Sequence, residues 1–100
     1  MSNQYSQDSI KEIINELDKE TARIVISKEI RGRYRKISTL IRGLESNTTD
    51  VGVLTSELKT KIGTGGTYKE GLIILQGDHR ETVKKLLIKK GFSERSIEVL

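Results

Sequence analysis

The sequence predicts an α+β fold: a two-layer sandwich in which a mixed, mostly antiparallel sheet of about five strands carries two helices on one face, with a short N-terminal helix or tail in front. Three observations predict it. Two stretches rich in β-branched residues, 22–30 and 35–42, flank a glycine-containing turn and read as a hairpin. Val51, Leu54, Leu58 and Ile62 recur at the spacing of a helix laid on a core. Leu72 to Leu75 is an apolar run short enough to be a buried strand, and helix signals follow it. A chain of 100 residues with 34% hydrophobic content makes one small domain with a compact core.

In chain order, the first seven residues are polar. Ser9 and Glu12 form a capping-box pattern, and Ile10, Ile13, Ile14 and Leu17 share a helical face, so a short amphipathic helix is expected from Ser9 to Glu20. Residues 1–21 are thus a tail or short helix, and 22–100 the domain proper. The alternation Ile24, Ile26, Lys28, Ile30 marks the first strand, from Ala22 to Ile30. Arg31-Gly32-Arg33-Tyr34 supplies the turn, with Gly32 able to take positive φ, and the second strand runs from Arg35 to Arg42. After a polar connection, Thr49 or Asp50 can cap the helix that ends at Ile62. Gly63, Gly65 and Gly66 end that helix and lead into a strand, Thr67 to Lys69, which turns at Glu70-Gly71 to pair with Leu72 to Leu75. Asp78, with Glu81 three residues on, is expected to cap a last helix from His79 to Lys90. Gly91 and Phe92 suit a Schellman ending in which Phe92 packs on Leu87, and Ile97, Val99 and Leu100 close the chain as an edge strand.

Charge and composition narrow the function. Residues 1–30 carry four basic and six acidic side chains, whereas 31–42 carry five basic and none acidic, a swing from −2 to +5 inside a net charge of +4. A concentrated basic patch attracts polyanions by counterion release better than scattered charge does. On charge alone, a solvated lysine-rich surface fits equally well. Arg31, Arg33 and Arg35 beside Tyr34 combine bidentate phosphate donors with a ring that can stack on a base, a combination suited to RNA; a tip whose tyrosine merely covers the hairpin is the other reading. Without cysteine there is neither a disulfide nor a thiolate zinc site, and His79 as sole histidine leaves no imidazole cluster or relay. The glycines after Ile62 follow a helix and lack Walker spacing, so no nucleotide site is expected there. No apolar run approaches a membrane span and no secretory leader opens the chain, so a cytoplasmic location without membrane contact is expected.

Three segments carry a family resemblance. Leu75-Gln76-Gly77-Asp78-His79-Arg80, preceded by Gly65-Gly66-Thr67 and Leu58-Lys59-Thr60-Lys61, and the earlier Arg35-Lys36-Ile37-Ser38-Thr39-Leu40-Ile41-Arg42-Gly43-Leu44, resemble translation initiation factor one of archaea and eukaryotes, over about residues 23–99. An archaeal member is expected. The family usually places its turn glycine near position 34 or 35, whereas here it is Gly32.

The resemblance implies a factor that binds the small ribosomal subunit near the P site, promotes initiation-complex formation and discriminates against wrong codon–anticodon pairing. It implies RNA or ribosome contacts by Arg31, Arg33, Tyr34, Arg35 and Lys36 at the hairpin, by Lys59 and Lys61 on the helix, and by Asp78, His79 and Arg80 in the loop. From the residues alone, Lys59 and Lys61 need only complement the helix dipole, and Asp78 need only cap. The partners implied are the small subunit with its ribosomal RNA, messenger RNA, initiator tRNA and other initiation factors. No cofactor or metal is implied, and the role is binding, not catalysis: an RNA-processing enzyme would need an acid–base pair or metal site that the sequence does not offer convincingly. The nearest alternative is a related ribosome-binding domain used in recycling or reinitiation.

Overall fold

A computed structural model describes residues 23–44 and 50–100. Its elements are β1 (Ile24–Arg31), β2 (Lys36–Arg42), α1 (Val51–Ile62), β3 (Gly66–Lys69), β4 (Leu72–Gln76), α2 (Arg80–Lys89), a 3-10 turn (Glu94–Ser96) and β5 (Ile97–Val99). The strands form one sheet in the order β3-β4-β2-β1-β5. All its pairings are antiparallel except β1 with β5, which makes the sheet mixed and puts the terminal strand at an edge, as expected. The expected helix from Ser9 to Glu20 and the alternative cap Thr49 lie outside the described residues.

The two periodicities of the sequence build the core. Strand alternation sends Ile24, Ile26, Ile41, Ile73, Leu75 and Ile97 to one face, and there they meet Val51, Leu54 and Leu58 of α1 and Val83 and Leu87 of α2, all at most 8% exposed. Each such side chain contributes roughly 1.5–3 kcal/mol when fully buried. Both helices are held at their ends. Asp50 Oδ1 accepts the Val53 amide at 3.2 Å, as a cap should. At the end of α2, Phe92 N donates to Leu87 O and Gly91 N to Ile88 O, the paired bonds of a Schellman ending, and Phe92 is buried with Leu87 in the core.

The register fixes one end of the sheet. β2 runs away from the β1–β2 turn, and β4 runs back beside it to pair Gln76 with Ser38. The turn between β1 and β2, the exit from α1 and the loop into α2 therefore meet at that end.

Candidate nucleic-acid interface

The hairpin closes through Gly32, Arg33, Tyr34 and Arg35, with Arg35 N donating to Gly32 O at 3.1 Å. Gly32 has the expected positive φ, +85°, and Arg35 also lies in the left-handed region at +52°. Arg35 is not a glycine, and a side chain in that conformation costs about 1–2 kcal/mol. That conformation is incompatible with a strand, which is why β2 begins at Lys36 and not at Arg35. Arg31, Arg33, Tyr34, Arg35 and Lys36 are all exposed. Tyr34 is 80% exposed, so its ring does not cover the hairpin. Arg31 forms an ion pair with Glu29 on its own strand while its side chain stays largely in solvent.

Asp78 does not take the capping role expected of it. α2 starts at Arg80 with His79 at the boundary and no side-chain cap. The Asp78 carboxylate instead grips the Arg80 guanidinium on both oxygens, Oδ1 to Nε at 2.8 Å and Oδ2 to Nη2 at 3.0 Å, leaving the Arg80 amide at 3.5 Å. A two-pronged charged donor outcompetes a single neutral amide. Arg80 Nη1 donates to Leu100 O at 2.7 Å, so the side chain ties the loop to the strand-end segment at Leu100. The guanidinium holds the Asp78 carboxyl below the ordinary aspartate range, with the charge of Lys28 adding to the effect, and the same pair raises Arg80. Because the folded value is lowered, the pair stabilises the fold fully above the ordinary aspartate value of about 3.9 and loses that effect only as pH falls through the lowered value.

The loop is pinned from beneath. Gly77 N donates to Ile37 O at 2.9 Å. The Thr39 hydroxyl donates to Gly77 O at 2.6 Å and accepts the His79 amide at 2.8 Å. His79 Nε2 lies 2.7 Å from Gln76 O, and since a carbonyl only accepts, Nε2 carries the proton. Gln76 O also accepts from Thr64 Oγ1 at 2.7 Å, and Gln76 N donates to Gly65 O at 2.9 Å. The exit of α1 is thereby fastened to the same loop.

The sequence-predicted residues thus fall into a joined set and one outlier. Arg31 to Lys36 and Asp78 to Arg80 share one end of the sheet, and Lys59, half-buried with its carbonyl accepting from Gly63 and Thr64, sits in the turn leading there. Lys61 instead lines a hollow between α1 and α2, together with Glu57, Leu86, Lys89 and Lys90. Sequence reasoning does not single out Thr39 or Lys28. Thr39 reads as an ordinary strand residue until its register beside Leu75 places it under the loop.

The class these features define is a small α+β domain with an exposed basic hairpin and an ordered polar loop on one corner. Comparison with known proteins then gives its family. The sequence profile described as "Translation initiation factor SUI1" matches residues 20–93. The chain is 47% identical over 87 residues to "Protein translation factor SUI1 homolog" of Pyrococcus furiosus, covering 87% of this chain and 88% of that one. It is 47% identical over 89 residues to the protein so named in Sulfolobus acidocaldarius, covering 89% of each. For the one in Nitrosopumilus maritimus the identity is 46% over 84 residues, covering 84% and 81%. The chain belongs to the SUI1 family of translation initiation factors. Among the described residues no helix is long and apolar enough to cross a membrane.

Proposed function

We propose that the protein binds the small ribosomal subunit near the P site, promotes assembly of the initiation complex, and sharpens start-codon selection by discriminating against wrong codon–anticodon pairing. The observation that supports this reading is the convergence of segments far apart in sequence. The arginine hairpin, the α1 exit and the Asp78 loop are joined at one corner by the bonds of Ile37, Gln76 and Thr39. A corner with many cations and an exposed tyrosine suits phosphate contacts and base stacking on RNA. Discrimination follows if the factor binds the subunit more tightly before correct pairing than after it, since a ligand shifts an equilibrium only by its differential affinity. Messenger RNA, initiator tRNA and other initiation factors are the partners in that complex.

Asp78→Ala tests this reading. The ion pair is solvent-exposed and such pairs add little to stability, so the unfolding midpoint should move little. Initiation at a near-cognate codon relative to AUG should rise, by roughly fivefold for each kcal/mol of discrimination lost. If the ratio changes only in proportion to the folded fraction, Asp78 has no role beyond structure.

A further inference from the structure

We propose that Thr39 is a positioning residue: its buried hydroxyl sets the conformation of the Gly77–His79 loop, and through it the orientation of Asp78 and Arg80 towards the ribosome. The inference rests on the functional reading above for its last step and on geometry alone for the rest.

Thr39 is 0% exposed and lies on the helix-facing side of β2, flanked across the sheet by Lys28 and Leu75. A hydroxyl buried there needs partners, because desolvation without them is unfavourable. Both partners given by the structure are backbone atoms of the loop. One bond goes to Gly77 O and the other comes from His79 N, so a single oxygen grips the chain on either side of Asp78. With one proton and free lone pairs, a hydroxyl can do both at once, and no apolar isostere can do either. His79 stands at the boundary of α2, where the helix itself offers its amide no partner. Thr39 supplies one, and so sets where the helix starts and where Asp78 meets Arg80.

The same strand also fixes the loop relative to the arginine hairpin. Ile37 O receives Gly77 N two residues before Thr39, and Lys36 at the start of β2 adjoins the tip. From Lys36 to Thr39 the strand spans about 10 Å at its usual rise. β2 is thus a ruler between the two surfaces, and Thr39 is the side chain that attaches the loop to it.

Two substitutions separate the hydroxyl from the packing. Thr39→Val keeps the shape and removes the oxygen, whereas Thr39→Ser keeps the oxygen and opens a methyl-sized gap in the core. A residue valued for packing alone should tolerate valine and suffer with serine; a residue valued for its hydroxyl should show the reverse. In the free protein, hydrogen exchange at the His79 amide should quicken by about tenfold or more in the valine variant and stay near the parent rate in the serine variant. The near-cognate to AUG ratio should follow the same order, with valine approaching Asp78→Ala. Unaltered His79 exchange in the valine variant, or serine as damaging as valine in both readouts, overturns the proposal. Faster His79 exchange with unchanged stringency in both Thr39→Val and Asp78→Ala upholds the positioning and overturns the ribosomal role of the loop instead.

Discussion

Replacing Arg31, Arg33 and Arg35 together by alanine is expected to weaken binding to small ribosomal subunits by about a hundredfold or more at physiological salt, while the unfolding midpoint stays nearly fixed. Hydrogen bonds to charged groups contribute roughly 1.5–3 kcal/mol each, so even partial loss of three phosphate interactions gives that factor. The salt slope of log affinity should shrink by about one for each phosphate that is no longer neutralised by an arginine. Stability has little reason to change. The three residues are exposed, the ion pair of Arg31 with Glu29 is of the weak solvent-exposed kind, and alanine at position 35 keeps the same Cβ in the same left-handed conformation. Lys69, Lys85 and Lys89 are exposed cations outside the hairpin and serve as the charge-matched control. If alanine at those three weakens binding and flattens the salt slope as much as alanine at the arginines, attraction is general and the hairpin has no special part in it.

The largest effect on folding is expected at Gly43, directly after β2. Its φ is +98°, and a Cβ added there would lie 1.9 Å from the carbonyl oxygen of Arg23. Neither problem has an easy escape. The left-handed backbone disfavours any side chain, and the obstructing atom is backbone, fixed because Ile24 next to it begins β1 between β2 and β5. Gly43→Ala should therefore cost at least about 3 kcal/mol, a large share of the roughly 5–15 kcal/mol that holds a small domain together. Gly32→Ala makes the comparison, since φ there is +85° but nothing lies within 4 Å of the added carbon. It should cost only about 1–2 kcal/mol. Chemical denaturation of both variants checks this, and equal losses would mean that strain alone, without the clash, governs position 43.

What is legible in the sequence is whatever depends on neighbours along the chain. The stripe Val51, Leu54, Leu58, Ile62 gives α1, Asp50 gives its cap, and Gly91 with Phe92 gives the Schellman ending. The errors lie where two local arrangements compete, or where a residue far along the chain takes part. Asp78 fits a capping pattern, but the Arg80 guanidinium outcompetes the backbone amides for its carboxylate, and the loop around it is held by Thr39 from forty residues away. Arg35 reads as a strand residue because nothing local shows that the turn makes it, and not only Gly32, adopt positive φ. Of the candidate surface, the basic hairpin can be read from two β-branched runs flanking a turn rich in arginine. Its closeness to the Asp78 loop cannot, since it rests on β4 returning beside β2 with Gln76 opposite Ser38.

The most direct test of ribosomal binding through the basic corner is co-sedimentation of the intact protein with purified small and large ribosomal subunits across a salt series. The expected result is pelleting with small subunits only, falling by orders of magnitude in affinity between about 50 and 200 mM salt, as several phosphate contacts require. Binding that is indifferent to salt, or equal on the two subunits, would contradict it.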